Sequence, residues 1–247
     1  MSNGEPVAPG GHDEIAARVA AWDWAAIAAE LDELGGARTP VALDPRTCTE
    51  LADAFDDDGR YRSTVDLARH RFGAGRYRYF ANPLPEPVQA LREACWPFLL
   101  PIARSWAERL RRPAPWPDTL EAWLGRCHEA GQRRPTPLVL RYGPGDWNAL
   151  HRDLYGELVF PLQVVVGLDR PGVDFDGGEL VLVEQRPRAQ SRSTVFSPPQ
   201  GSAVIITTAD RPLRTARGWS AAPVRHGVSV VRRGRRRTLG IIFHDAT

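Results

Sequence analysis

Two apolar runs enclose a cluster of arginines in the stretch VRHGVSVVRRGRRRTLGIIFH, residues 224–244. Short apolar runs separated by glycine and charged residues are typical of β-strands joined by turns. We predict strands over 224–231 and 237–244 and a hairpin between them. His226 would then lie in the first strand, and Arg236 would enter the same β-structure at the start of the second.

The same alternation of short apolar runs with Gly, Pro and Asp extends upstream as far as Pro135. Many short, evenly spaced strands favour a sandwich or a barrel. Region 136–247 is therefore predicted to form a β-roll. Its further strands are expected at 138–142, 158–168, 179–184, 193–197 and 202–208.

The preceding half of the chain has helical periodicity. We predict a tail over 1–13 and a mainly helical support region over 14–135, so that the chain as a whole is α+β. Two short strands are expected inside this region, at 60–68 and 76–81. Helices are expected at 14–34 with a candidate break near Trp22, from Asp44-Pro45 to Gly59, at 85–110 with a bend at Pro97 or Pro101, and at 120–130.

Composition excludes several classes of protein. The 247 residues are 43% hydrophobic and 25% charged, which is typical of a globular protein and not of a disordered one. No run of apolar residues is long enough to span a membrane, and we expect no membrane partner. The three cysteines are scattered, which argues against a disulfide framework or a structural zinc site and favours a cytoplasmic location.

Charge is distributed unevenly along the chain. Residues 1–60 contain 13 acidic residues and four arginines, whereas residues 186–237 contain 12 arginines and one acidic residue. A local excess of positive charge attracts anions, so the Arg-rich region 186–237 is a candidate nucleic-acid contact. The alternative is that the acidic N-terminal half folds over this region and neutralises it.

Three residues form a candidate metal-binding set. His151 and Asp153 are two residues apart, so in an extended segment both side chains lie on one face. His226 could supply a third ligand. Two histidines and one carboxylate form the facial triad of non-haem Fe(II) oxygenases, which leaves coordination positions open for co-substrate and O2. For each histidine alone, a surface or core position remains the alternative.

Arg236 follows His226 by ten residues. A guanidinium is a bidentate partner for a carboxylate, and 2-oxoglutarate needs a buried cation for the carboxylate that does not chelate iron. Strand alternation places Thr238 on the same face as Arg236. A shift of one residue in register would put Arg235 or Arg237 there instead, and a solvated charge remains the alternative.

The order of these motifs resembles the Fe(II)/2-oxoglutarate-dependent dioxygenases, which have a double-stranded β-helix (jelly-roll) core. It is similar to their prolyl 4-hydroxylase-like branch, in which a basic residue, often Lys, lies ten positions after the second histidine. A narrower resemblance is to a bacterial oxygenase family labelled as acting on damaged, alkylated DNA. The motifs are Tyr142-Gly143, His151-x-Asp153, Asp176-Gly177-Gly178-Glu179-Leu180, the segment 184–192, Gln200-Gly201-Ser202-Ala203-Val204, Arg225-His226-Gly227, Arg236 and Ile242-Phe243-His244-Asp245.

The resemblance implies Fe(II), 2-oxoglutarate and O2 as cofactors, with ascorbate as a candidate stimulant. It implies that His151, Asp153 and His226 are the catalytic metal ligands and that Arg236 binds the distal carboxylate. Tyr142 and Thr238 are candidate partners of the same carboxylate, although Tyr142 could equally be a packed core residue.

The implied reaction couples decarboxylation of 2-oxoglutarate to hydroxylation of a substrate C–H bond. On an N-methyl group the product collapses, and the result is demethylation of an alkylated nucleic acid. The alternatives are hydroxylation of a prolyl or other protein residue, or of a small molecule. A further alternative is a jelly-roll module that binds metal without turnover.

Aromatic and basic side chains supply the candidate substrate contacts. Trp147 and Trp219 could stack on a base or on a peptide ring, or could simply pack. A loop between two predicted strands carries arginines that could contact phosphates, or could pair with acids of the N-terminal half. These arginines are Arg186, Arg188 and Arg192.

Overall fold

A computed structural model describes residues 11–185 and 190–247 of the chain. Its helices are α1 (His12–Ala20), α2 (Trp24–Leu34), α3 (Pro45–Asp53), α4 (Glu86–Leu110) and α5 (Leu120–Glu129). Its strands in the first half are β1 (Gly36–Val41), β2 (Tyr61–Asp66), β3 (Gly73–Ala74) and β4 (Arg76–Phe80). The later strands are β5 (Leu138–Tyr142), β6 (Trp147–His151), β7 (Leu162–Gly167), β8 (Phe175–Gly177), β9 (Leu180–Glu184), β10 (Arg192–Phe196), β11 (Ser202–Thr207), β12 (Asp210–Thr215), β13 (Gly218–Val228), β14 (Val231–Gly234) and β15 (Arg236–Ile242).

The strands form two antiparallel sheets and one short pair. The major sheet has the order β1-β11-β7-β15-β5-β4-β2, and the minor sheet has the order β10-β9-β13-β6-β3, with β12 paired to β13. β14 pairs with β8. From β5 to β15 the chain crosses repeatedly between the two sheets, as in a jelly roll, so the predicted α+β fold with a double-stranded β-helix core is confirmed.

The pleat of the major sheet separates the hydrophobic core from the interior of the roll. On β15, Leu239 and Ile241 pack into the core beneath the helices, whereas Arg236 and Thr238 face a cavity inside the roll. On neighbouring β7, Val164 likewise packs into the core, whereas Gln163 and Val165 face the cavity. Side chains of successive residues in a strand point to opposite faces, so one strand supports the fold and lines the site at once.

The helices cover the outer face of the major sheet. The predicted break near Trp22 is real: α1 ends at Ala20, and the side chain of Asp23 accepts a hydrogen bond from the Ala26 amide at the start of α2. Helix α4 continues through both of its prolines. Its Trp96 packs at a ring-centroid distance of 4.8 Å from Phe160, which joins helix and sheet in one core. No helix in the described ranges is both long and apolar enough to cross a bilayer.

The structure corrects the predicted hairpin. The strand of His226, β13, lies in the minor sheet, and β15 lies in the major sheet between β7 and β5. Between them β14 turns away to pair with β8. Arg236 therefore reaches the cavity from the opposite sheet and not from a strand adjacent to that of His226.

The N-terminal half also contributes more β-structure than predicted. β1 pairs with β11, β3 with β6 and β4 with β5, so strands from both sides of residue 135 share the sheets. The division of the chain at that residue remains a prediction. The helix α1 begins at His12, inside the segment predicted as a tail. Strands β1, β3, β6, β8, β12 and β14 were not predicted.

Candidate active site

The three candidate metal ligands meet at one point. His151 is the last residue of β6, and His226 lies directly opposite it on β13, with ring centroids 4.3 Å apart. Asp153 follows two residues after His151 and turns back toward both rings. One ligand atom from each of the three side chains lies within 4.8 Å of the others. Two imidazole nitrogens and a carboxylate oxygen suit a divalent transition metal such as Fe(II).

The hydrogen bonds fix which atoms face the metal position. His226 Nε2 lies 3.1 Å from Asp153 Oδ2, and His151 Nε2 lies 3.5 Å from Asp153 Oδ1. The other nitrogen of His151, Nδ1, is 2.8 Å from the Ala149 carbonyl oxygen. A backbone acceptor at Nδ1 holds the proton there and leaves Nε2 free to bind a metal.

Electrostatics favours a cation between these groups. Burial acts to raise the pKa of Asp153, but His226 and the hydrogen bonds from both histidines outweigh it and hold the pKa well below its usual range. Burial acts to lower the pKa of His151, and the Asp153 carboxylate outweighs that effect and raises it. The carboxylate is therefore ionised at neutral pH and draws positive charge to this point.

Two further residues position Asp153. The Tyr155 hydroxyl donates to Oδ1 and the Gln163 amide donates to Oδ2, each at 2.8 Å. Neither was predicted from the sequence. The available signals were weak: Tyr155 continues the spacing of two from His151 and Asp153, and Gln163 is a lone polar residue in the apolar strand β7.

Removing the tyrosine contact tests its role. In Tyr155→Phe we expect metal affinity to fall about 10- to 100-fold, because hydrogen-bond partners orient a ligating carboxylate. Titration with Fe(II) under anaerobic conditions measures the effect. Tyr61→Phe is the matched control, since Tyr61 is a buried tyrosine whose hydroxyl has no hydrogen-bond partner and lies outside the cavity. An unchanged affinity in Tyr155→Phe would contradict this role.

A cavity of about 370 Å³ connects the triad to the predicted co-substrate residues. Its volume is in the range of small-molecule sites. His151, Asp153 and His226 lie on its wall, together with Arg236 and Thr238 from β15. The structure thus brings five of the predicted site residues around one space.

The cationic side chain of Arg236 has no counter-ion in the part of the chain that the structure describes. The residue is 2% exposed, its Nη1 has no hydrogen-bond partner, and no carboxylate among the described residues forms an ion pair with it. Burial lowers its pKa. Gly178, at φ +65°, leaves room for it, because a Cβ there would lie 2.6 Å from Arg236 Cδ. A buried and unpaired guanidinium is costly, and an anionic ligand relieves that cost.

The sequence left open whether Arg235, Arg236 or Arg237 faces the co-substrate, and the positions of these three side chains decide between them. Arg237 points to the other face of β15, where it binds Asp169 at 2.7 Å. Arg235 is exposed and does not line the cavity. Among the three candidates, only the side chain of Arg236 faces both the cavity and Thr238.

Tyr142 is not on the cavity wall. It is fully buried beneath Arg236, with the guanidinium carbon 5.5 Å from the ring centroid, and its hydroxyl accepts a hydrogen bond from Asn148. The packed alternative describes its position better than a direct contact with the co-substrate. A different tyrosine, Tyr77, lines the cavity.

The predicted substrate residues that the structure describes lie outside the cavity. Trp147, on β6, is 42% exposed. Trp219, on β13, lies near the guanidinium groups of Arg109 and Arg214. Arg192 is on the edge strand β10, 3.8 Å from Glu33. The positions of Arg186 and Arg188 fall outside the described residues.

Acidic partners neutralise much of the Arg-rich region. Arg192 and Arg237 pair with acids of the N-terminal half, and others pair with acids of the roll, so the described part of the region does not form one basic face. These pairs are Arg192–Glu33, Arg237–Asp53, Arg211–Glu184, Arg232–Glu179 and Arg233–Asp176.

Comparison with known proteins agrees with this geometry. Residues 75–246 match the family Oxygenase-NA, described as "Oxygenase, catalysing oxidative methylation of damaged DNA". The chain is 57% identical over 214 residues to the uncharacterized protein Rv2227 of Mycobacterium tuberculosis (strain ATCC 25618 / H37Rv), which covers 85% of this chain and 90% of that protein.

Two solved structures show the same fold at low sequence identity. A prolyl-4-hydroxylase from Pseudomonas putida superposes with a TM-score of 0.55 at 16% identity, covering 91% of this chain and 99% of that one. A prolyl hydroxylase from Trichoplax adhaerens, in complex with a hypoxia inducible factor oxygen degradation domain peptide fragment, gives a TM-score of 0.52 at 15% identity, covering 89% of this chain and 87% of that one.

Proposed function

Because the chain belongs to the Oxygenase-NA family and has the fold of the Fe(II)/2-oxoglutarate oxygenases, we propose that it oxidatively demethylates an alkylated nucleic acid. The enzyme is an oxygenase with Fe(II), 2-oxoglutarate and O2 as cofactors. One observation supports the proposal above the others. A histidine–carboxylate–histidine cluster shares one cavity with a buried arginine that has no ion-pair partner among the residues described.

Each residue has a proposed role at this site. His151, Asp153 and His226 would hold Fe(II) through one ligand atom each. Arg236 binds the distal carboxylate of 2-oxoglutarate, and the Thr238 hydroxyl lies on the same strand face as a second donor. Tyr155 and Gln163 hold Asp153 so that one lone pair on each oxygen stays free for the metal.

The chemistry balances as a demethylation. When bound, the metal would supply activation of O2, one atom of which goes into succinate as 2-oxoglutarate loses CO2, and the other into the substrate C–H bond. The C–N bond of the hydroxylated N-methyl group then breaks, the carbon leaves as formaldehyde, and the hydroxyl proton passes to the nitrogen. Around this reaction the apolar cavity wall, including Leu138, Leu140 and Ile242, excludes water from the reacting atoms.

The decisive assay compares substrate classes. We expect formaldehyde and succinate in equal amounts from an N-methylated oligonucleotide with Fe(II), 2-oxoglutarate and O2, with ascorbate present. Asp153→Asn, which removes a ligand charge, should give neither product. Hydroxylation of a proline-containing peptide in place of the oligonucleotide would contradict the nucleic-acid substrate and favour the second candidate, a protein hydroxylase. Absence of succinate with every substrate would favour a metal-binding module without turnover.

We also propose that this activity is cytoplasmic. Cys48, Cys95 and Cys127 are all free and buried. Burial raises the pKa of the Cys48 thiol to about 12, which keeps it protonated and unreactive. Unpaired thiols are the usual state of cysteine in a reducing compartment.

A further inference from the structure

A short loop between β2 and β4, residues 67–75, stands at the cavity. We refer to Leu67–Gly75 as the mouth loop. The Leu67 amide donates to the Gly75 carbonyl oxygen at 3.0 Å, which closes its neck, and the Phe72 amide donates to the Leu67 carbonyl oxygen at 3.1 Å. Its first turn is capped by Asp66, whose Oδ1 accepts from the Ala68 amide. The loop is therefore folded by its own backbone.

The mouth loop is fixed to the strand that carries His151. Gly73 and Ala74 pair with Asn148 and Trp147 of β6, and the Phe72 carbonyl oxygen accepts from the Ala149 amide at 2.7 Å. The approach is so close that a Cβ on Gly73 would lie 2.2 Å from the Trp147 carbonyl oxygen. This anchorage holds the loop at a constant position relative to the metal ligands.

Two aromatic rings are presented at the edge of the cavity. Phe72 lines the cavity and is nevertheless 54% exposed. The ring of His70 stacks against it, with a centroid distance of 5.7 Å and an interplanar angle of 19°. An exposed aromatic ring at the entrance to an active site is a surface on which a flat, unpaired base can stack.

Two arginines alternate with these aromatic residues along the mouth loop. Arg69 and Arg71 are exposed, and neither has an acidic partner among the described residues. Arg71 has φ +59°, so the backbone turns sharply just before Phe72. The acid nearest in sequence, Asp66, is engaged by the loop cap and lies 3.7 Å from Arg76. The mouth loop thus keeps its positive charge, unlike the paired arginines of region 186–237.

We propose that the mouth loop is the element that binds single-stranded nucleic acid at this active site. Phe72, backed by His70, stacks on an unpaired base next to the nucleotide that enters the cavity, and Arg69 and Arg71 contact its flanking phosphates. This inference rests on the proposed nucleic-acid substrate. The sequence predicted the phosphate contact at the segment around Arg192, on β10. It is assigned instead to the mouth loop, whose β3 is at the opposite end of the minor sheet.

Binding without turnover tests the inference separately from catalysis. The probe is a fluorescein-labelled, unmethylated single-stranded DNA, added to the anaerobic enzyme with Fe(II) and 2-oxoglutarate, and anisotropy gives the Kd at several salt concentrations. We expect Phe72→Ala to raise the Kd about 5- to 150-fold and Phe72→Trp to restore it. A plot of the logarithm of the association constant against the logarithm of the salt concentration should have a negative slope. Arg69→Ala and Arg71→Ala should each reduce the magnitude of that slope by about 0.7.

The matched control is Arg217→Ala, because Arg217 is also exposed, has no acidic partner among the described residues and lies away from the cavity. It should bind as the wild type does. If the wild type binds the probe and the three mouth-loop variants bind equally well, the inference is overturned, although formaldehyde release would still support the proposed function. Tighter binding of the matching duplex than of the single strand would also overturn it. Binding only to peptides would overturn both proposals.

Discussion

In His226→Ala we expect binding of Fe(II) to weaken by more than about 100-fold and succinate formation to be lost. Mutation of a residue that only orients a metal ligand lowers metal affinity about 10- to 100-fold, and loss of a ligand itself should lower it further. Without His226 the remaining donors are His151 and Asp153, which form too small a set to hold the metal. The loss should therefore appear in metal binding and not only in turnover.

An optical measurement separates these effects. Chelation of Fe(II) by 2-oxoglutarate gives a weak visible charge-transfer band, and anaerobic titration should show it in the wild type and not in His226→Ala. His12→Ala is the control, because His12 is exposed and contacts Glu93 at the molecular surface. The same band in His226→Ala as in the wild type would contradict the proposed ligand set. A thermal melt of each variant without metal checks that the fold is retained.

Arg236→Ala should raise the Kd for 2-oxoglutarate by at least about 30-fold while leaving Fe(II) binding nearly unchanged. Truncating one partner of a buried charge pair costs about 2–5 kcal/mol, and that range sets the lower bound. The guanidinium has no counter-ion in the described part of the chain, so its removal should not destabilise the protein when 2-oxoglutarate is absent.

This combination of effects is specific to a ligand-binding arginine. In the wild type, 2-oxoglutarate should raise the Tm in proportion to the logarithm of its concentration above the Kd, and in Arg236→Ala that shift should vanish. Arg235→Ala, one residue away and exposed, should retain the shift. A structural arginine would behave in the opposite way: its removal would lower the Tm with or without 2-oxoglutarate.

Local spacing explains why much of the site was predictable. His151 and Asp153 are separated by two residues, and Arg236 and Thr238 share one face of β15 by the pleat alone. No such rule exists for Tyr155 and Gln163, because they act through contacts that form only once the loop after β6 has folded against β7. Tyr142 illustrates the same limit, since its motif position allowed both a contact with the co-substrate and a packed core position, and only the folded structure places it beneath Arg236.

Long-range topology accounts for the predictions that were wrong. A hairpin between the strands of His226 and Arg236 is the simplest connection for their spacing. The chain instead passes through β14, where Gly234, at φ +77°, makes the turn that leads it to the major sheet. The ion pairs of Arg192 with Glu33 and of Arg237 with Asp53 likewise join residues more than a hundred positions apart in the chain, which local spacing does not reveal.

The position of β15 has a consequence for how the enzyme matures. This strand is inserted between β7 and β5, although both are made earlier during synthesis. Until it leaves the ribosome, the major sheet has a gap at its centre, and the nascent chain lacks the only cation that faces the cavity from that sheet among the described residues. Insertion of a late central strand also makes folding depend on distant contacts, which slows it. A chain in which β15 has not yet been inserted therefore has His151 and Asp153 in place but lacks Arg236, the residue proposed to bind 2-oxoglutarate, at the cavity.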